Sequence, residues 1–178
     1  MYKLKRFLFA ANLLLVFLLV AQAASAQIVV NVSVLPPASP VAKNYIEQGN
    51  NVKITIINNF SLPQQVKIIP SINGISNGVK IAVNENFNPA IPLTLAGGQT
   101  KTFTLNQLKI NNGNLTPNDI QLQGIDLNSY LGGSKLPEGL YTFCVKVITS
   151  GSAAGGPGQS FQGCGTVNIL SYLPPIIT

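Results

Sequence analysis

Apolar side chains in this chain recur at every second position in short runs, and each run is soon cut by Pro, Gly or Asn. Period two is the repeat of a half-buried β-strand, whose alternate side chains face opposite sides of a sheet. Ile28, Val30, Val32 and Val34 make the first such face, stopped by Pro36, Pro37 and Pro40, because proline cannot donate to a strand ladder. Val52, Ile54 and Ile56 make the second, ending in the turn-prone Asn58-Asn59. Short β-rich runs follow at 66–69, closed by Pro70, and at 79–83, 91–95 and 100–105. Asn73-Gly74 and Asn77-Gly78 read as turns, because both residue types tolerate positive φ. Gly97-Gly98 reads as a hairpin turn between the runs at 91–95 and 100–105. One stretch reads as helical: Thr116 as N-cap, Pro117 at the first position, Asp119 in the first turn and Gly124 as the stop. No heptad, amphipathic helix or fixed-period repeat competes with the strands. The expected fold is all-β, an antiparallel β-sandwich of immunoglobulin or fibronectin-III type.

The last two runs, 140–148 and 161–170, flank a Gly- and Ser-rich loop. Pairing them symmetrically about Ala154 sets Tyr141 against Val167, Phe143 against Gly165, Val145 against Gly163 and Val147 against Phe161. The opposite face then holds Thr142 against Thr166, Lys146 against Gln162 and Cys144 against Cys164. One register serves both the hydrophobic pattern and the thiols. Directly opposed residues in a non-hydrogen-bonded pair lie close enough for a disulfide, so a Cys144–Cys164 bond is expected, with two free thiols as the alternative. In the loop-entropy account such a bond contributes roughly 3 kcal/mol.

The amino terminus carries an export label. Lys3, Lys5 and Arg6 precede an apolar stretch, and Ala24-Ser25-Ala26 offers the small residues that a signal peptidase requires. Cleavage between Ala26 and Gln27 is expected, in preference to a membrane anchor, because the apolar run falls short of the ~20 residues that span a bilayer. Residues 1–26 are thus read as signal peptide, 27–172 as one domain and 173–178 as a proline-rich tail. Removal of the leader takes away the single Arg and two Lys, leaving eight Lys against five acids, a net charge of 8 − 5 = +3. Those Lys are scattered, without the clustered Arg/Lys and interleaved aromatics of a nucleic-acid surface. No nucleic-acid partner and no stable membrane span after cleavage are expected.

Catalytic chemistry finds little purchase. The chain has no His, which removes the commonest general base and the commonest zinc ligand. Glycoside hydrolysis needs two carboxylates facing across a cleft, whereas Asp119, Asp126 and Glu138 all stand in turn-forming contexts, where capping is the expected role. A calcium site at Asp119 and Asp126 lacks the cadence of a calcium loop. No motif places a Lys beside a Ser nucleophile. Tyr2, Tyr45, Tyr130 and Tyr172 read as exposed but unclustered, and Trp is absent. No catalytic, cofactor-binding or metal-binding residue is assigned, and no cofactor is expected.

The stretch Leu136-Pro137-Glu138-Gly139-Leu140-Tyr141-Thr142-Phe143-Cys144, the later Gly163-Cys164 and the closing Tyr172-Leu173-Pro174-Pro175 resemble the TANFOR domain family. So do Ile28 to Val32, Leu35-Pro36-Pro37 and the turn Leu95 to Thr100. The resemblance implies an exported domain that directly follows a signal peptide in Gram-negative bacteria using type IX secretion, often ahead of fibronectin-III-like repeats. It implies no catalytic residue. This chain stops where members of that family usually continue, so Tyr172 to Pro175 reads as the exit into a linker. Within the motif, Tyr141 is placed as a tyrosine-corner residue at the start of a penultimate strand.

The functional expectation is a non-enzymatic module of the cell envelope or surface, structural or adhesive, whose partner is a protein or glycan. Its location is expected in the periplasm, on the outer-membrane surface or outside the cell. A pilin-like strand donor using Ile28–Val34 and a carbohydrate-binding module are the alternatives.

Overall fold

A computed structural model of the protein describes residues 27–36, 38–48, 51–87, 92–107, 116–150 and 158–170. The leader, the Ala26/Gln27 junction, the tail at 173–178 and the linker reading of Tyr172 to Pro175 fall at or beyond the edges of these residues. The described chain is an all-β, antiparallel sandwich-like fold. Its strands are β1 (Ile28–Val34), β2 (Val52–Asn58), β3 (Gln64–Gly74), β4 (Lys80–Val83), β5 (Leu93–Leu95), β6 (Thr100–Thr104), β7 (Ile120–Gln123), β8 (Gly139–Thr149) and β9 (Ser160–Ile169).

Two sheets form. The smaller has the order β1-β2-β6, and the larger runs β7-β4-β3-β8-β9 with β5 beside the first part of β3. Alternation decides which side chains meet between them. From the small sheet Ile28, Val30, Val52, Ile54, Ile56 and Phe103 point inward. They meet Val66, Ile68, Ile72, Ile81, Tyr141, Phe143, Val145, Val147 and Val167 of the large sheet. Phe143 is fully buried, and aromatic burial of this kind contributes about 3 kcal/mol or more.

Val30 and Val32 of β1 lie along β9 in its own direction, with their carbonyls against the inner face at Gly163 and Gly165. Asn59 donates its backbone N–H to Gln27 O at 3.0 Å, and Leu35 to Asn51 O at 2.7 Å. By the two-residue alternation of an antiparallel ladder, Val30 and Val32 therefore turn their backbone groups away from β2. They turn toward β9. The exposed row of an edge strand is covered in this way, which removes a pairing hazard.

Several expectations need correction. The run at 66–69 does not stop at Pro70, because β3 continues to Gly74. Cys144 and Cys164 are only 4.1 Å apart at Cα, the spacing of a non-hydrogen-bonded pair. Cys144 and its β3 partner Ser71 thus bond to each other, and Pro70 directs its backbone to the opposite edge. There β5 ends at its Val66 pairing and β4 begins at Ser71, so the missing N–H of Pro70 costs no ladder bond. Asn73-Gly74 is likewise not a turn but the end of β3, and the turn follows at 75–77.

Gly97-Gly98 is a turn, but not a hairpin turn. β5 pairs with β3, and β6 with β2, so the turn carries the chain from one sheet to the other. Buried Asn58 holds this crossing. Its Nδ2 donates to Ala96 O at 2.9 Å and to Leu95 O and Leu62 O at 3.2 Å. Gly98 N donates to Phe60 O at 3.1 Å, and a side chain on Gly97 would collide with the Ser61 carbonyl.

The helix expected from Thr116 to Gly124 is a single 3₁₀ turn, Pro117–Asp119, after which β7 begins. Hydrogen bonding to β4, from Lys80↔Gln123 to Val83↔Ile120, takes over from any local helical preference. The α-helix lies one step later, α1 (Leu127–Leu131), capped by Asp126. A π-helical turn, Asn44–Gln48, also escaped the period-based reading. Tyr45 and Tyr130 are not exposed; both are core residues. Tyr45 packs 6.5 Å from Phe143 between ring centroids. Tyr2 and Tyr172 lie outside the described residues.

Candidate functional site

The β8–β9 ribbon is paired in the expected register throughout, from Gly139↔Ile169 to Ile148↔Ser160. Every pair derived from the sequence is present, including Cys144↔Cys164, and the two cysteines form a disulfide. The bond lies on the outer face of the large sheet. Cys144 is buried there between neighbouring strands, whereas Cys164 is exposed on the last strand. Gln162 donates to the Cys164 sulfur at 3.3 Å.

Tyr141 anchors the start of the ribbon. Its hydroxyl donates to Pro137 O at 2.8 Å and accepts from Asn77 Nδ2 at 2.7 Å. A tyrosine hydroxyl bonded to backbone a few residues upstream is the tyrosine corner of sandwich domains. Burial pushes the Tyr141 phenol up, partly offset by the Asn77 bond, so it stays a neutral hydrogen-bonding group.

Backbone alternation builds the outer face. One row across five strands reads Gln123, Lys80, Asn73, Thr142, Thr166. The next reads Gln121, Ala82, Ser71, Cys144, Cys164. Adjacent strands lie about 4.8 Å apart, so the first row is a continuous line of amide, hydroxyl and ammonium groups. Farther along the face, Lys146 pairs with Glu85 at 2.8 Å, and Lys67 donates to the Glu85 carbonyl. The Lys146 hydrogen bond and charge hold the Glu85 carboxyl below its ordinary range.

Asp119 and Asp126 do not share a site. Asp119 Oδ2 accepts from Thr116 Oγ1 at 2.6 Å and Thr116 N at 2.8 Å. Asp126 accepts from Ser129 Oγ at 2.6 Å and Ser129 N at 2.8 Å. The Thr116 and Ser129 hydroxyl bonds, then the backbone bonds, hold the two carboxyls below the usual carboxylate range. Each acid fills a helix-start role, as their turn contexts implied. Glu138 is exposed beside the Tyr141 corner.

Sequence reasoning assigned no residue to the face row itself. Each member was legible as an outward position of its own strand, but the row depends on β4 and β7 pairing across long chain separations. No known family, curated protein or solved structure matches this chain.

Proposed function

We propose that this protein is a non-enzymatic, exported envelope or surface module that binds a protein or glycan through the outer face of its larger sheet. The row Gln123, Lys80, Asn73, Thr142, Thr166 carries the reading. Neutral donors and acceptors in line, with one ammonium, suit extended hydrogen-bonded contact with a polar polymer or peptide. The engagement of Asp119 and Asp126 in caps supports a binding rather than a hydrolytic role. A disulfide exposed on this face suits an oxidising compartment, and among the described residues no helix is long and apolar enough to cross a membrane.

The resemblance to the TANFOR domain supplies the biological setting for this reading: export in a Gram-negative cell after leader cleavage at Gln27. β1 pairs with β2 of its own chain over all seven residues, which favours a self-contained module over a strand donor. Fractionation of cells combined with protease shaving tests the setting. The protein is expected in the envelope or outside, beginning at Gln27 with a Cys144–Cys164 bond in non-reduced peptide mass spectra. A cytoplasmic chain that retains its leader and two alkylatable thiols overturns it.

A further inference from the structure

We propose that the Cys144–Cys164 bond is a thiol–disulfide exchange site that opens in the native fold. A small aliphatic thiolate attacks the Cys164 sulfur, and Cys144 is the buried resolving thiol. The two sulfurs share a row of the outer face, Gln121, Ala82, Ser71, Cys144, Cys164, so the bond crosses from β8 to β9. They differ in access. Cys144 is 6% exposed, whereas Cys164 is exposed.

A thiolate enters a disulfide opposite the sulfur that leaves, so the order of the row sets the direction of each attack. Attack on Cys144 has to come from over β3, where Ser71 is its cross-strand neighbour. Attack on Cys164 comes from the far side of β9, the last strand of its sheet. β1 meets β9 through the Val30 and Val32 carbonyls at Gly163 and Gly165, on the inner face, and leaves the Cys164 side chain on the outer face exposed. Its neighbours along that face, Gln162 and Thr166, are exposed too, and the Gln162 amide holds the Cys164 sulfur at 3.3 Å. Charge favours an anionic reactant. The strands of the large sheet place Lys67, Lys80 and Lys146 on this face and carry no acid, while Glu85 answers Lys146. Such a surface raises the local concentration of a thiolate.

In the first step the sulfur of the reactant bonds to Cys164 Sγ and the Cys144–Cys164 bond breaks. Its electron pair leaves on Cys144 Sγ, which takes a proton from water. Cys144 reverses the step by attacking the mixed disulfide at Cys164. A second thiolate instead completes it by attacking the sulfur of the bound reactant. That releases the reactant as its own disulfide and leaves Cys164 as a thiol. The fold need not open for either step, because ten β8–β9 pairs hold the register without the bond. None of this depends on the envelope reading, since it concerns the purified protein alone.

Reduced glutathione added to the mature, disulfide-bonded protein, followed by rapid alkylation and peptide mass spectrometry, tests the proposal. Glutathione is expected on Cys164 and the alkyl group on Cys144, in at least about tenfold excess over the reverse arrangement, because access selects the sulfur attacked. The rate is expected to stay flat in urea well below the unfolding midpoint, with a native spectrum, as exchange in the folded chain requires. Single variants check the asymmetry from the other direction. Cys164 in C144S is expected to take up glutathione from glutathione disulfide at least about tenfold faster than Cys144 in C164S. The proposal is overturned by adducts divided evenly between the two cysteines, or by equal uptake in the two variants. A rate that follows the unfolded fraction from the lowest urea, or a folded chain that forms no adduct, also overturns it.

Discussion

The carbonyl oxygen of Val30 occupies the space in which a side chain on Gly163 would begin. Two residues on, the Val32 carbonyl stands 2.8 Å from the equivalent point on Gly165. The first and last strands of the described fold approach this closely because neither glycine has a Cβ. The sandwich is closed along that side by backbone lying on backbone.

Gly163→Ala should therefore be costly. Its methyl group meets a carbonyl rather than a flexible side chain, so β1 must shift, at a cost of roughly 3 kcal/mol. Gly165→Ala, with more room, should cost less. Urea unfolding checks both. Equal midpoints for G163A and the parent would show that β1 does not lie on β9.

Tyr141→Phe should lower stability by about 1–2 kcal/mol, because it leaves Pro137 O and Asn77 Nδ2 without their shared partner. The ring stays in place, so the change isolates the hydroxyl. Thermal unfolding of Y141F, with N77A as a second probe, measures it. A wild-type Tm would remove the corner from the account.

Much of the ribbon was legible in sequence, and the reason is locality. The β8–β9 pairing joins neighbours in the chain, and the alternation and the thiols permit one shared register. The misreadings arise where a distant strand decides. Thr116-Pro117 marks a helix start correctly, but Ile120 to Gln123 pair with β4 instead of continuing the turn. Gly97-Gly98 has hairpin chemistry, yet what the turn joins depends on β3 and β2. Pro70 stops a strand only if its N–H is owed to a partner, and the gap between β5 and β4 removes that debt. The polar row was invisible for the same reason: its members come from five strands.

Removal of the disulfide should weaken the fold without undoing it. The bond spans a sequence separation of 20, for which loop entropy gives roughly 3 kcal/mol. Register should survive in C144S/C164S, because the hydrophobic pattern sets it independently. Denaturant unfolding should show an earlier midpoint with a native-like spectrum before the transition. A double variant that is unfolded in buffer would contradict this.

Acid should weaken the fold through Asp119, Asp126 and Glu85. Folding lowers the pKa of each, so their contribution is complete above the ordinary carboxylate range. It is lost as pH falls from that range through the depressed folded values. Stability should be flat near neutrality and decline on acidification. D119N/D126N should show a shallower decline between those limits, measured by urea midpoints at each pH. An unchanged slope would mean that the two caps do not form in solution.

The central claim is that the outer face of the large sheet binds a partner. Its most direct test is retention of the protein by intact envelopes, comparing the parent with N73A/T142V. The double change removes two hydrogen-bonding side chains from the middle of the polar row while keeping β-branched bulk at 142. Retention is expected to fall by at least about tenfold, the effect of losing one or two net hydrogen bonds, at an unchanged Tm. Undiminished retention of a folded N73A/T142V protein would contradict the account.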